Sequence, residues 1–131
     1  MSGMDPSDAL RESYEALPYD RLVHRFTHPD RMAVAARVRG LEPPPVEKAR
    51  VLELGCASGD NLVGMAYALR GAAFAGVDLS PRQVEEGRRR AAELGLSNVS
   101  LRAGDLCGID GSWGEFDYVI AGGGTAGCTL A

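Results

Sequence analysis

The chain has 131 residues, of which 45% are hydrophobic and 24% charged, and its formal net charge is −4. This length allows one globular domain with a short extension and excludes two complete hydrophobic cores. Because the charge balance is acidic, the chain offers no basic stripe for phosphate groups, and we expect no nucleic-acid partner. A small-molecule ligand agrees better with this composition.

Cysteine usage and the N-terminal residues predict a cytoplasmic protein. Cys56, Cys107 and Cys128 are odd in number and lack the spacing of zinc ligands, which favours reduced thiols that act as small apolar side chains. No apolar run approaches the roughly 20 residues that span a bilayer, so we expect no membrane segment. His24 and His28 have no evident third ligand, which favours solvated or capping roles over a metal site.

Residues 1–45 predict a helical extension that ends in a proline-rich linker. We expect a short helix near residues 8–17 and a second helix that starts at Pro29 and is followed by Gly40. Residues 43–45 are three consecutive prolines, which cannot continue a helix. A domain core is therefore expected to begin directly after this linker.

Residues 46–121 alternate between strand patterns and helix patterns. Apolar runs predict four strands and helical spacing predicts two intervening helices. Parallel strands joined by such crossovers form right-handed units, so the predicted fold is α/β, a truncated, doubly wound, Rossmann-like sheet of about four strands. The strands are predicted at 50–54, 73–77, 99–103 and 116–121, and the helices at 61–70 and 81–94.

The second of these helices carries clear end signals. Ser80 is expected to cap it, Pro81 to occupy its first position and Gln83 to complete a capping box. Residues 88–90 are three arginines near its C-terminal end, where they complement the helix dipole. We predict that all three form solvated surface.

The residues that follow the first three strands form a candidate ligand site, because open α/β sheets bind ligands beyond the carboxyl ends of their strands. Gly55 and Gly59 follow the first strand and allow a tight turn that leaves backbone amides at a helix N-terminus free to bind a carboxylate. Asp78 follows the second strand, where it can accept both ribose hydroxyls, and Asp105 follows the third. Each also has a simpler interpretation, since the glycines make a strand-to-helix turn and the acids cap or form turns.

Residues 53–61 resemble motif I of class I S-adenosylmethionine-dependent methyltransferases, with Ala57 in place of the middle glycine. Residues 104–106 resemble the third motif of that family. The resemblance implies that Asp105 accepts from the adenine amino group and that Glu53 lies near the methionine amino group. No catalytic side chain is identifiable from the sequence. The resemblance implies a seven-stranded sheet of order 3-2-1-4-5-7-6, of which this chain would supply the first four strands. The implied cofactor-binding residues are Glu53, Gly55, Cys56, Ala57, Gly59, Asn61, Asp78, Leu79, Asp105 and Leu106.

Two further resemblances lie outside these motifs. Residues 27–31 and 43–47 look like those of a bacterial subgroup in which a methyltransferase regulatory domain follows the methyltransferase domain. The tail of residues 122–131, with Gly122, Gly124 and Gly127, resembles the flavin-binding start of glucose-methanol-choline oxidoreductases. These two fingerprints meet at the fourth predicted strand, which leads to the hypothesis of a recombined or joined chain.

The sequence therefore predicts the cofactor-binding portion of a methyltransferase with an unidentified acceptor. A noncatalytic or inactive cofactor-binding fragment is one alternative, and a fragment of a flavin-dependent oxidoreductase is another. With only four strands, the fourth is expected to expose an edge, which predicts marginal stability and either a homodimer or a C-terminal partner at that edge.

Overall fold

The computed structural model describes residues 5–16 and 25–122. Helix α1 spans Pro6–Ala16, which confirms the predicted N-terminal helix, although Leu17 falls outside the described residues. The same is true of His24, Cys128 and the tail beyond Gly122. Within the described ranges, every helix is too short or too polar to cross a bilayer.

A parallel sheet of four strands forms the centre of the structure. The strand order is β3-β2-β1-β4, and every neighbouring pair is parallel, which confirms the predicted α/β architecture. Leu54 is in register with Val77 on one side and Ala121 on the other, so the carboxyl ends of the strands lie along one edge. The strands are β1 (Arg50–Leu54), β2 (Ala73–Asp78), β3 (Val99–Ala103) and β4 (Tyr118–Ala121).

Two helices cover one face of this sheet. Helix α3 spans Asp60–Ala68 and helix α4 spans Pro81–Glu93. Leu62 of α3 and Val84 of α4 are completely buried in the same cluster as Val51 of β1. Burying an aliphatic side chain of this size stabilises the fold by about 1.5–3 kcal/mol, so this face supplies the hydrophobic core. The cluster also contains Ala49, Cys56, Met65, Ala66, Ala72, Phe74, Leu101 and Ile120.

The helix of the N-terminal extension packs against this domain. Helix α2 spans Pro29–Val38, as predicted, and the His28 side chain caps it by accepting from the Asp30 amide (3.2 Å). Pro29 is among the most deeply buried side chains, and Met32 packs against the core cluster. The extension is therefore anchored to the sheet domain by its own apolar side chains.

Helix α3 ends at Ala68, two residues earlier than the sequence predicts. The cause is Asn98, whose side-chain amide donates to the carbonyls of Ala66, Leu69 and Ala72 at 3.0–3.1 Å. The N–H groups of Asn98 take the place of the backbone donors that a further helical turn would have supplied to the Ala66 and Leu69 carbonyls. A residue just ahead of β3 thus fixes where α3 stops.

The start of α4 contains one hydrogen bond that the sequence predicts and one that it does not. Ser80 Oγ accepts from the Gln83 amide (3.4 Å), which confirms the cap. The Ser80 amide donates to Asp78 Oδ1 (3.0 Å), so Asp78 occupies the place that Gln83 would have in a capping box. The carboxylate at the end of β2 therefore also organises the start of the next helix.

Strand β4 begins at Tyr118, two residues later than predicted. Ahead of it, Asp117 exchanges two hydrogen bonds with Arg50, and the Phe116 ring lies 5.2 Å from the Arg50 guanidinium carbon. Within the described residues β4 pairs only with β1, and Val119 on it is 57% exposed. The predicted open edge is thus present in this part of the chain.

Helix α4 approaches the loop after β1 so closely that only glycine fits at residue 87. A Cβ atom there would lie 2.3 Å from the Ser58 carbonyl oxygen and 2.6 Å from Leu101 Cδ1. Gly64 of α3 has open space instead, with nothing within 4 Å of such an atom. The two glycines therefore provide a matched pair for substitution.

We expect Gly87→Ala to destabilise the protein by about 1–3 kcal/mol, because the backbone of the loop must move to admit the methyl group. Gly64→Ala is the control and should stabilise by about 0.5–1 kcal/mol through helix propensity. Urea denaturation followed by circular dichroism measures both. Equal stability of the two variants would contradict this account.

Candidate cofactor site

The loop between β1 and α3 carries the first group of predicted site residues. Gly55, Ala57 and Gly59 have φ angles of 73°, 52° and 70°, so three alternate residues are left-handed. Glycine adopts this conformation without strain, whereas alanine does so at a cost of about 1–2 kcal/mol. The turn that the sequence predicted is confirmed, and Ala57 adopts the left-handed backbone conformation that is typical of glycine.

The amides of residues 55–57 are bound within the chain, ahead of the α3 N-terminus at which the sequence predicts amides that bind a carboxylate. Gly55 N and Cys56 N both donate to the Val77 carbonyl oxygen, at 2.8 and 3.0 Å. Ala57 N donates to Asp78 Oδ2 (2.8 Å). Because buried backbone donors need partners, the end of β2 holds the loop in place.

The Cys56 side chain faces the core and not the ligand edge. It is 6% exposed, and its Sγ atom lies against the position where Gly76 has no side chain. Burial, with Asp78 and Glu53 nearby, raises the pKa of this thiol well above its usual value. The prediction of a small apolar filler is confirmed, and a thiol contact with a ligand is not supported.

Asp78 lies at the end of β2, is 8% exposed and accepts two backbone hydrogen bonds. Its donors are the amides of Ala57 and Ser80, one to each carboxyl oxygen. Each oxygen of a carboxylate has a second acceptor position, so hydrogen bonds to a diol remain chemically available. Leu79 follows directly and is half-buried.

Glu53 is the most deeply buried acid at this edge. It is 2% exposed, and its Oε2 atom has no hydrogen-bond partner among the described residues. Burial raises the pKa of Glu53 to about 8, with the Asp78 charge adding to the rise and a hydrogen bond from Asn61 opposing it. An isolated buried carboxyl group of this kind is a ready acceptor for a cationic ligand group.

Asn61 connects Glu53 to the N-terminal extension. Asn61 is 3% exposed, its Nδ2 atom donates to Thr27 Oγ1 (2.9 Å), and hydrogen bonding from its side chain lowers the pKa of Glu53. Asn61 was predicted as a site residue, whereas Thr27 carried no predicted role. No pattern in the sequence links two residues 34 positions apart.

Asp105 and Leu106 follow β3 at the same edge of the sheet. Gly104 N donates to the Asp78 carbonyl oxygen (2.9 Å), which places the third motif beside the second. Asp105 is exposed, and its Oδ1 atom accepts from Cys107 N (2.9 Å) at the start of a short 3₁₀ turn, Leu106–Gly108. Asp105 thus forms a turn in this structure and stays accessible to solvent, and Leu106 is half-buried.

A second polar cluster supports the loop from the side of α4. Ser58 Oγ donates to Asp60 Oδ2 (2.6 Å), and Arg90 forms an ion pair with Asp60 and with Glu86. The prediction that all three arginines of residues 88–90 are solvated surface is wrong for Arg90, whose side chain is 23% exposed. Its partner Asp60 is the first residue of α3, 30 positions away in the chain, a pairing that the local charge pattern does not reveal.

A cavity of about 520 Å³ lies elsewhere, between α2, the proline linker and the start of β4. Met32, Pro43 and Tyr118 are among its lining residues. None of the ten predicted cofactor residues lines it. It sits at the amino end of β4, away from the carboxyl edge that gathers the predicted site.

A comparison of the sequence with protein families agrees with this arrangement of loop and sheet. A family model described as a methyltransferase domain matches residues 51–128, a range that covers the four strands apart from Arg50, the first residue of β1. The chain belongs to this methyltransferase domain family. The match continues six residues past Gly122, so most of the glycine-rich tail lies inside the methyltransferase domain as the family defines it.

Relatives of this methyltransferase domain include two uncharacterised proteins of Rickettsia prowazekii (strain Madrid E). One is 38% identical over 110 residues, and the other is 35% identical over 111 residues. The alignments cover 84% and 85% of this chain but 20% and 44% of those proteins. The chain therefore spans less than half of the length of these relatives.

Solved structures show the same fold. PKMT2 from Rickettsia typhi in complex with AdoHcy has a TM-score of 0.74 and 35% identity, over 78% of this chain and 20% of its own. A SAM-dependent methyltransferase from Thiobacillus denitrificans in complex with S-adenosyl-L-homocysteine has a TM-score of 0.54 and 30% identity, over 97% of this chain and 50% of its own. These likenesses confirm the predicted Rossmann-like methyltransferase fold.

We expect Ala57→Gly to stabilise this methyltransferase domain by about 0.5–1 kcal/mol, because glycine relieves the strain of the left-handed backbone. Ala35→Gly in the middle of α2 is the control and should destabilise by about 0.5–1 kcal/mol. Thermal unfolding of the three proteins measures the differences. A loss of stability in Ala57→Gly would show that the strain argument is wrong.

Glu53→Gln should change how stability depends on pH. With a pKa of about 8 in the folded state against 4.5 ordinarily, native Glu53 keeps its proton over a range in which the unfolded chain has lost it. The contribution of the Glu53 proton to wild-type stability is therefore fully present below pH 4.5 and is lost as the pH rises towards about 8. Relative to wild type, Glu53→Gln should gain roughly 2–3 kcal/mol between pH 6 and pH 9.

Urea denaturation at a series of pH values measures this difference. The groups that face Glu53 are Asp78 of β2, Asn61 of α3 and the Cys56 thiol, and all three are present in both proteins. Parallel stability profiles of wild type and variant would mean that Glu53 does not hold its proton in the folded state.

Proposed function

We propose that this chain is the cofactor-binding part of an S-adenosylmethionine-dependent methyltransferase that acts on an unidentified acceptor. The observation that carries the proposal is the buried Glu53 carboxyl group, whose Oε2 atom lacks a partner beside Asp78 at the carboxyl edge of the sheet. The Rickettsia typhi and Thiobacillus denitrificans structures, which have the same fold, hold the demethylated product of that cofactor.

The charge of the site suits such a cofactor. S-adenosylmethionine carries an ammonium group and a sulfonium centre, and Glu53 and Asp78 are two acids that form no ion pair with the described Lys and Arg side chains. A ligand ammonium near Glu53 would favour the charged carboxylate and satisfy the oxygen that lacks a partner. The residues present therefore fit the cofactor.

Each acid has a proposed role. Glu53 would hold the amino group, Asp78 would accept from the ribose hydroxyls through its remaining lone pairs, and Asp105 would accept from the adenine amino group. Leu79 and Leu106 would flank the adenine ring. When bound, the cofactor would supply a methyl group on a sulfonium; an acceptor would attack the methyl carbon in line with the carbon–sulfur bond, and S-adenosylhomocysteine would leave as that bond breaks. The contribution of this chain is to orient that group, since no side chain is assigned to proton transfer.

The limited share of each relative that the chain spans supports a second candidate function, a cofactor-binding unit that requires further sequence for catalysis. The chain covers 20% and 44% of the two Rickettsia prowazekii proteins. These lengths also support the proposed subgroup in which a regulatory domain follows the methyltransferase domain. Methylation of any acceptor by the chain alone would reject the noncatalytic version.

The tail and the sheet edge give two further proposals. The flavin-like pattern of residues 122–131 remains a proposal about a segment of which only Gly122 is described, and the family match to residue 128 favours a methyltransferase tail.

The exposed Val119 on β4 supports the proposal that this edge pairs with a second copy or a C-terminal partner. We also propose a cytoplasmic location on the basis of the cysteine usage.

Titration calorimetry with S-adenosylhomocysteine tests the cofactor assignment, with NAD and FAD as controls. We expect saturable binding of S-adenosylhomocysteine alone. Glu53→Gln should weaken it by about tenfold to a hundredfold, because a hydrogen bond to a charged group is lost. A folded wild-type chain that binds no S-adenosylhomocysteine, or that is yellow and binds FAD, would reject the proposal.

A further inference from the structure

The strand order β3-β2-β1-β4 fixes the spatial order of the acids at the carboxyl edge of the sheet. Asp105 follows β3, Asp78 ends β2 and Glu53 lies on β1, so their proposed ligand contacts run from the adenine to the amino group. Strand β4 is last in this row and pairs with β1. The carboxyl end of β4 therefore adjoins the strand that carries the proposed amino-group contact, and it is separated from β2 and β3.

Gly122 directly follows β4 and lies against the turn after β1. It is buried, and its amide donates to the Leu54 carbonyl oxygen (2.7 Å). A Cβ atom at residue 122 would lie 2.7 Å from that same oxygen and closer still to the Gly55 carbonyl oxygen. Carbon and oxygen atoms that are not bonded do not pack this closely, so a side chain here would force the backbone of one segment to move.

The turn after β1 is also held from its other side. The amides of Gly55 and Cys56 both donate to the Val77 carbonyl oxygen of β2. Gly55 thus lies between two neighbours, with β2 at its amide and Gly122 at its carbonyl group. Because Leu54 alone separates Gly55 from Glu53, a displacement of Gly55 by β4 shifts the end of β1 on which Glu53 lies.

We propose that Gly122 is a positioning residue of the cofactor site: because it lacks a side chain, β4 can end against Leu54 and Gly55 and hold Glu53 in place for the amino group. This inference rests on the proposed function. It gives a role in the methyltransferase site to a glycine that the sequence alone placed in a flavin-like pattern.

Gly122→Ala tests the proposal in the full chain, with Gly71→Ala as a matched control. A Cβ atom at residue 71 would also lie 2.7 Å from a backbone carbonyl oxygen, that of Glu47. Gly71 precedes β2, so it lies at the amino edge of the sheet, opposite the candidate site. Neither glycine has a left-handed φ angle, so each variant adds a methyl group without a change of backbone preference.

The probes are S-adenosylhomocysteine and 5′-methylthioadenosine, which lacks the amino-acid end. Calorimetry measures their affinities, and circular dichroism shows that each variant is folded at the temperature used. Gly122→Ala should bind S-adenosylhomocysteine about tenfold more weakly, because a hydrogen bond from the ligand ammonium to Glu53 weakens steeply with misplacement. Its affinity for 5′-methylthioadenosine should stay at the wild-type value, and Gly71→Ala should bind both probes as wild type does.

The outcomes separate the two proposals. If wild type and folded Gly122→Ala bind S-adenosylhomocysteine equally well, the positioning role is wrong while the cofactor assignment stands. Equal weakening for both probes, or the same loss in Gly71→Ala, would also overturn the positioning role, since either result indicates general damage to the fold. A folded wild-type chain that binds neither probe would overturn the proposed function, and this inference with it.

If Gly122→Ala does not fold, amide hydrogen exchange in the wild-type chain supplies the test. The Gly122 amide donates to the Leu54 carbonyl oxygen, so its exchange rate reports how firmly the end of β4 is held against β1. S-adenosylhomocysteine should slow this exchange by about tenfold, and 5′-methylthioadenosine should leave it unchanged. The same exchange rate with both probes would overturn the positioning role.

Discussion

The carboxyl end of β2 determines the shape of the candidate site. The Val77 carbonyl and the Asp78 carboxylate accept from the amides of residues 55–57, which belong to the loop after the neighbouring strand. Buried amides without partners are costly, so the loop keeps this form only while β1 and β2 lie side by side. The same Asp78 side chain binds the Ser80 amide and so fixes the start of α4. Val77 and Asp78 therefore fix both the loop that follows β1 and the start of α4.

A second constraint is electrostatic. Glu53 is buried with Asp78 nearby, and among the described residues the opposing influence on its pKa is hydrogen bonding from Asn61. Such an arrangement lowers stability at neutral pH, because the folded state must keep a proton that the unfolded chain would release. Local rules of sequence and packing are commonly broken at functional sites, where a ligand supplies the missing interaction. Glu53 has the properties of such a position.

The sequence predicts the strands, the strand-to-helix turn and the edge at which the predicted residues gather, because these depend on local periodicity and on the handedness of crossovers, whereas the strand order followed from the family resemblance. It could not predict contacts between distant segments. Asn98 ends α3 early, Asp78 replaces Gln83 in the cap, and Arg90 pairs with Asp60 at the start of α3. The sequence also did not indicate that the amides of residues 55–57 bind acceptors on β2. Glu53 was identified through a resemblance, whereas its burial follows from packing alone.

The single amide of Asn98 has a consequence for how the domain assembles. It joins the end of α3 and the start of β2 to the residue that precedes β3, across 26 to 32 positions of the chain. Helix α3 therefore cannot reach its native end until the segment leading into the third strand is in place. Contacts of this sequence separation add entropy cost before they return stability, which slows folding. The first three strands then form one cooperative unit. Local opening at β3 would release the C-terminal end of α3 and so loosen the helix whose N-terminal end follows the ligand loop.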